Sequence, residues 1–353
     1  MSVLFKAKKH YQESLPFVIY RKPNEALVSG FFMKNDELDF TTDFSQSGFV
    51  FAPFDDEQQA VLFPLNNAEF YQENLNFSEI EPKNNSFSVN DSDRETYMNI
   101  VEKAIDTIKN SELEKVVLSR KETVVLSNFD LITVYTELLQ RYKNAFVYLW
   151  FHPKVGLWLG ATPEILLQLH NSDYTTMSLA GTQKFEEGKN VVWQPKELEE
   201  QEIVTQFIKY KLIDISTNLR IDKTETFRAG SLLHLRTKVE GKLNRESSLQ
   251  KLIKALHPTP AVCGFTRGAA KAFILKNENY NREFYTGFLG EINLGDEDTN
   301  HKKSHLFVNL RCMQINSNTT SIYVGGGVTK DSIPESEWQE TVNKTVTMKT
   351  VLQ

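Results

Sequence analysis

The chain has 353 residues, apolar and charged fractions of 40% and 24%, and a formal net charge of −6. That length can bury a large core, in one big domain or two ordinary ones, and the acid excess argues against a general nucleic-acid binder, which needs a basic face. The two cysteines, Cys263 and Cys312, exclude a dense disulfide framework and fit a reducing compartment. The opening MSVLFKAKKHYQESLPFVIY has no apolar signal-peptide core or small-residue cleavage site. The longest apolar runs, such as AFVYLWF, are too short to cross a bilayer, so a cytoplasmic protein with no membrane partner is expected.

Along the chain, residues 1–90 hold irregular short strands and end in the Asn- and Ser-rich stretch NLNFSEIEPKNNSFSVNDSD. Residues 91–353 are better patterned. Ser92 and Glu95 form an S-x-x-E capping box before a helix with Tyr97, Ile100, Val101, Ala104, Ile105 and Ile108 on one face. KVVLSR, AFVYLWF, VGLWLG and ILLQL read as strands. Glu197–Ile215 reads as an amphipathic helix, SLLHLRTKVEGKL as a strand, and SLQKLIKAL and AAKAFILKN as helices. EFYTGFLGEINL, HLFVNLRCMQI and TSIYVGGG read as alternating antiparallel strands, and a last helix starts near Glu335. Strands come in runs rather than in strict alternation with helices, so an α+β fold is expected. No internal repeat or heptad seam is present.

Two helices each open with a carboxylate pair at i, i+3 spacing: Glu197 with Glu200, and Glu337 with Glu340. Such pairs share one helix face. They also suit the positive end of any helix, which is the plainer reading. Mg²⁺ takes a few carboxylates, keeps waters and completes its octahedron with substrate oxygens, so two such pairs are a candidate site for it. Gly325, Gly326 and Gly327 lie between a strand and that last helix, where backbone amides can approach an anion or simply turn the chain. Lys344 sits one turn after Glu340, within reach of it or of an anion. Lys115 heads an apolar strand, either as a desolvated base or as a snorkelling surface lysine. GATPE ends in Glu164 and LAGT in Thr182, and each also reads as a plain turn; LHPTPAVCG holds His257 at the mouth of a small-residue loop, where a lone histidine is more often a satisfied structural one than a ligand. Zinc spacings and a G-x-S-x-G elbow are lacking.

In order, KVVLSR, LGATPE, LAGT, EEQEIVTQ, LHPTPAVCG, YTGFLGEI, VNLRC and GGGVTKDSIPESEWQETVNK strongly resemble the chorismate-utilising enzymes, and within them the isochorismate synthase group. The resemblance covers about residues 90–353; residues 1–90 look like a divergent, shortened part of the same fold. It implies one large α+β sandwich of two facing sheets with helices outside, the site in a cleft between the sheets, and a monomer. It implies Mg²⁺ held by Glu200 and Glu340, with Glu197 and Glu337 behind them through water. The Gly325–Gly327 backbone and Lys344 would close the carboxylate site. Tyr285 and Arg311 would hold the enolpyruvyl side chain of chorismate, and Thr182 and His257 would line the ring. Lys115 would be the general base on water and Glu164 the general acid on the leaving hydroxyl.

Lys115, Ala180 and the HPTPAVCG loop favour hydration over amination, so no glutaminase subunit is expected. The alternatives are a salicylate synthase, which also eliminates pyruvate, and a catalytically silent metabolite-binding relative. Isochorismate feeds menaquinone in some cells and siderophores or salicylate in others. Three departures from the family pattern stand out: Gln201 replaces a common histidine, Thr266 replaces a common proline, and residues 183–190 lack arginines.

Overall fold

A computed structural model describes residues 2–78, 87, 91–185, 187–188, 191–229, 232–295 and 301–352. The chain opens with α1 (Val3–Gln12), then β1 (Phe17–Arg21), β2 (Leu27–Met33), β3 (Asp39–Thr41), β4 (Gly48–Ala52), β5 (Ala60–Pro64) and β6 (Ala68–Asn74). Next come α2 (Arg94–Asn110), β7 (Lys115–Val125), α3 (Leu131–Arg141), β8 (Phe146–His152), β9 (Gly156–Thr162), β10 (Ile165–His170) and β11 (Asp173–Lys184). Then follow α4 (Pro195–Leu212), β12 (Ser216–Ile221), β13 (Glu225–Ala229), β14 (Leu232–Leu243), α5 (Leu249–Leu256), β15 (Gly264–Phe265) and α6 (Arg267–Asn277). The chain closes with β16 (Phe288–Leu294), β17 (Lys303–Val308), β18 (Cys312–Asn316), β19 (Thr319–Val328) and α7 (Pro334–Lys349).

The strands form two antiparallel sheets. One has the order β15-β7-β19-β18-β9-β8-β1-β2-β6, the other β12-β14-β11-β10-β17-β16-β4-β5-β3, with β13 on β14. Strands from residues 17–74 enter both sheets, so the N-terminal part shares the core of the rest. Period-2 alternation explains why several strands read as unbroken apolar runs. In β8, Phe146, Tyr148 and Trp150 face the aromatic layer between the sheets, while Val147 and Leu149 face α1 and α3. Helices α4 and α5 cover the second sheet through Val204, Phe207, Leu252 and Leu256. Helices α2, α6 and α7 pack around the ends of β7 and β19. Among the described residues no helix is long and apolar enough to cross a membrane.

Three expectations change. Helix α2 starts at Arg94 with Asp93 in the cap position, one residue later than expected, and the Ser92 side chain lies outside the described residues. EFYTGFLGEINL is a strand only from Phe288; Phe284–Gly287 is a turn closed by Gly287 N donating to Phe284 O at 3.0 Å. HLFVNLRCMQI is two strands in different sheets, β17 and β18. The break is at Asn309–Arg311. Arg311 has φ +48, which no continuous strand allows, and the buried Asn309 side chain is bonded to Phe284 O and Tyr148 Oη rather than to a strand neighbour.

Phe51 of β4 ties the two sheets together, stacking on Phe284 at 4.1 Å and meeting Trp150 and Trp158 edge-on or tilted. Phe51→Ala is expected to lower unfolding free energy by about 3–5 kcal/mol through the cavity it leaves, read from the urea midpoint at unchanged slope.

Candidate active site

Two of the places where the chain passes between the sheets lie side by side. One is Pro163–Glu164, between β9 and β10; the other is Asn309–Arg311, between β17 and β18. They are bonded to each other: Val308 N donates to Glu164 O at 3.0 Å, Ala161 N to Arg311 O at 3.0 Å, and Thr162 Oγ1 to Val308 O at 2.6 Å. This pairing delivers Glu164 and Arg311 together to a cavity of about 930 Å³ between the sheets. Neither side chain makes a hydrogen bond or ion pair among the described residues. Burial pushes the Glu164 carboxyl up to about 7, although Lys115 and Arg311 oppose the shift. Burial lowers Arg311 from its usual range, opposed by Tyr285, Glu340 and Glu164.

The three glycines are not a loop. They continue β19, with Gly325 opposite Ser119, Gly326 opposite Leu118 and Gly327 opposite Val117 of β7. Strand β18 pairs with β19 only as far as Tyr323, so beyond it the other edge opens on the cavity. Their function in the fold is room rather than flexibility. A Cβ on Gly325 would lie 2.6 Å from Leu118 O and 3.1 Å from Tyr285 Oη; one on Gly327, 2.9 Å from Lys115 Cε. Lys115, 2% exposed at the head of β7, is bonded to Glu200 Oε1 of α4 at 2.5 Å. Lys344 bonds Gly325 O at 2.8 Å and Glu340 Oε1 at 2.5 Å. Burial alone would raise Glu340, but Lys344 beside it holds the carboxyl below its usual range. Glu197 also caps α4, accepting from Gln194 N at 2.9 Å, so the plainer helix-start reading holds for that residue while it still lines the cavity.

The donor set fits a hard divalent cation. A Cβ on Gly326 would meet Glu337 Oε2 at 3.3 Å and Glu340 Oε1 at 3.6 Å, and one on Gly327 would meet Glu200 Oε1 at 3.5 Å. Three carboxylates from two helices therefore close on one stretch of bare backbone. Glu200 disfavours charge on Glu340, the repulsion a cation would relieve. Among the described residues no three acidic, His or Cys side chains form a ready-made metal cage. Mg²⁺ commonly keeps waters and completes its octahedron with substrate oxygens rather than relying on a cage of protein ligands alone.

Tyr285 lines the cavity, stacked on Tyr323 at 5.6 Å. Thr182 lies on β11 opposite His234, and its side chain falls outside the described residues. His257 does not line the cavity. Its ring is buried against Phe288, Nε2 donates to Pro53 O at 3.2 Å, and burial pushes it down to about 4, so it is a satisfied core histidine. Ala261 and Val262 of the same loop face the cavity instead. The histidine on the cavity wall is His234, in the middle of SLLHL, which reads only as a strand position. Its Nδ1 donates to Gly181 O at 3.1 Å, and burial together with Arg311 pushes it down to about 4. Gly181 has φ +63 and interrupts the β11–β14 register, which turns its carbonyl to that ring.

The sequence model for the family described as chorismate binding enzyme matches residues 51–353. The chain belongs to the chorismate-binding enzyme family. It is 30% identical over 273 residues to isochorismate synthase EntC of Escherichia coli (strain K12), covering 72% of this chain and 66% of that protein. It is 28% identical over 270 residues to isochorismate synthase MenF of the same strain, covering 74% of this chain and 61% of that protein. The matched part thus spans somewhat less than two thirds of these relatives. The crystal structure of DhbC from Bacillus anthracis superposes with a TM-score of 0.80 at 25% identity, covering 98% of this chain and 99% of that one.

Glu164 makes stability depend on pH. Its folded value is raised, so the native state keeps a proton that the unfolded chain releases; the stabilisation is complete below pH 4.5 and is lost as pH rises to about 7. Glu164→Gln cannot titrate. Relative to that variant, the wild type is expected to lose on the order of 3 kcal/mol across this window and then level off, measured by urea unfolding at pH 5, 6, 7 and 8.

Proposed function

We propose that this protein is an isochorismate synthase, converting chorismate reversibly to isochorismate with bound Mg²⁺. The observation that carries the reading is the meeting, in one cavity of a chorismate-binding family member, of three groups: Lys115, a Glu164 carboxyl raised to about 7, and an Arg311 guanidinium with no hydrogen-bond or salt-bridge partner among the described residues. The relatives named isochorismate synthase support it.

The reaction adds water at C2 of the ring while the C4 hydroxyl leaves and the double bonds shift. Oxygen in and oxygen out balance, and the proton removed from the attacking water equals the proton given to the departing hydroxide. Lys115 takes the first proton. Its ammonium is bound to Glu200 in this structure, so it acts as base only after giving up that contact and a proton. Glu164 gives the second proton, and a value near 7 keeps much of it protonated at neutral pH. Arg311, with Tyr285 beside it, takes the enolpyruvyl carboxylate, an anion that a guanidinium can grip in bidentate fashion. Lys344 and the open edge of Gly325–Gly327 flank the ring carboxylate. Glu200 and Glu340 would hold Mg²⁺, with Glu197 and Glu337 behind them, and the ion would supply charge neutralisation and orientation for that carboxylate. The reading carries with it a cytoplasmic monomer that needs no glutaminase, since water is the nucleophile.

Chorismate turned over in ¹⁸O-water is expected to give isochorismate carrying one solvent oxygen at C2, without pyruvate and without an aminated product in ammonium buffer. Stoichiometric pyruvate with salicylate would make the protein a salicylate synthase, and no turnover of chorismate with Mg²⁺ would make it a silent binder. Lys115→Ala is expected to lose about 10²–10⁴-fold in kcat at little change in chorismate affinity; wild-type turnover would remove Lys115 from the base role. EDTA is expected to abolish turnover and Mg²⁺ to restore it, whereas Glu340→Ala is expected to stay inactive at millimolar metal.

A further inference from the structure

Among the buried arginines that the reaction does not use is Arg120. Arg120 lies on β7 beneath α7, 4% exposed. Its Nε donates to Thr341 Oγ1 at 2.7 Å, its Nη1 donates to Glu122 Oε2 at 3.0 Å, and its guanidinium lies 4.3 Å from the Trp338 ring centre. The remaining nitrogen, Nη2, is buried without a hydrogen-bond partner. Glu122 also receives Lys349 Nζ, from the last turn of α7, at 2.5 Å. Arg120 and Lys349 thus both reach the buried carboxylate of Glu122, and burying charged groups in this way is costly where an apolar contact could serve.

What that arrangement fixes is the helix that carries half of the acidic site. Trp338 follows Glu337 in sequence and Thr341 follows Glu340, so Arg120 grips the residues next to both α7 carboxylates. Thr341 Oγ1 passes the contact on to Trp338 O at 2.7 Å, joining both points to one turn of helix. A side-chain end rides about 5–6 Å from the helix axis, so a 20° rotation of α7 would displace a carboxylate by about 2 Å. A metal or substrate constellation tolerates only about 0.5 Å.

We propose that Arg120 is a positioning residue for the metal site: it sets the rotation and height of α7 so that Glu337 and Glu340 meet the cation. This rests on the reading of those carboxylates as the metal site. Arg120 touches neither metal nor substrate, and it acts through Thr341 and Trp338.

Three variants of the full chain test it: Arg120→Met, Arg120→Lys and Thr341→Val. Arg120→Met keeps an unbranched apolar stem against Trp338 and leaves the Lys349–Glu122 ion pair in place, so it is expected to fold. The direct readout is Mn²⁺ binding, followed by loss of the free-ion EPR signal with and without chorismate; the second is the Mg²⁺ concentration for half-maximal turnover. Arg120→Met is expected to weaken Mn²⁺ binding by about 10–100-fold and to raise the Mg²⁺ requirement in parallel, while kcat at saturating Mg²⁺ stays within a few-fold of wild type. Arg120→Lys regains part of the loss, and Thr341→Val shifts the same way by less. A folded Arg120→Met that binds Mn²⁺ like wild type overturns the proposal, as does a kcat lowered equally at every Mg²⁺ concentration. If Arg120→Met does not fold, Thr341→Val decides by the same two criteria. A wild type that binds no Mn²⁺, with or without chorismate, overturns instead the metal reading on which the proposal stands.

Discussion

Everything at the site depends on the backbone seam where two strand pairs change sheets together. A sandwich keeps its two layers apart with a filled core. Here that core is aromatic, and it stops where β9 runs into β10 and β17 runs into β18. The bonds Val308 N to Glu164 O and Ala161 N to Arg311 O hold the two crossings as one unit. An acid and a cation thus enter one cleft on backbone that cannot drift independently. The sharp turn at Arg311, with φ +48, is how the chain meets that geometry.

The cleft is an exercise in compensating buried charge. Each ammonium is matched to a carboxylate: Lys115 to Glu200 and Lys344 to Glu340. Glu164 has no such partner among the described residues, and desolvation raises its carboxyl to about 7. Arg311 cannot shed its charge in the same way, because guanidinium stays protonated. The cavity is therefore left with a cation awaiting an anion and a carboxylic acid able to donate, while acidic side chains gather at the opposite, glycine-lined wall. An anionic ligand suits the first wall, and a divalent cation lets its other end approach the second.

Much of this was legible in the sequence, and the misses have physical causes. The α+β class followed from runs of strands, and the i, i+3 carboxylate pairs placed Glu197, Glu200, Glu337 and Glu340 on two helix faces that the fold does bring to one cavity. The Gly325–Gly327 run, at the end of the strand TSIYVGGG, could also be read as a turn because glycine usually marks one. The structure shows the other use of a missing Cβ, which is to let Lys115, Tyr285 and Glu337 crowd against a regular strand. HLFVNLRCMQI looked like one strand because its apolar pattern runs unbroken, and period alone does not reveal a change of sheet. His257 and His234 show the limit most clearly. One sits in a Pro-rich loop and is core; the other sits mid-strand and faces the cavity. The side on which each ring packs is set by tertiary contacts, Phe288 and Pro53 for His257 and Gly181 for His234, and no local pattern reports them.

The two helices that carry the carboxylates are anchored in the same manner from below. Neighbouring residues on a helix point about 100° apart, so a residue that faces the cleft is followed by one that faces the sheet. After Glu200 comes Gln201, buried, whose Nε2 donates to Ser178 O, Ser178 Oγ and Thr237 Oγ1 on β11 and β14. After Glu340 comes Thr341, bonded to Arg120 on β7. Each acid is thus backed by a polar residue locked into the sheet beneath, one helix per sheet. This gives the departure at Gln201 a physical meaning. Its amide faces away from the cleft, and a flat side chain with amide donors can meet Ser178 and Thr237 from that position without adding charge to the site. The distance between the two acidic walls is then set by the sandwich itself, because each helix is keyed to its own sheet and the sheets are joined at the crossover seam.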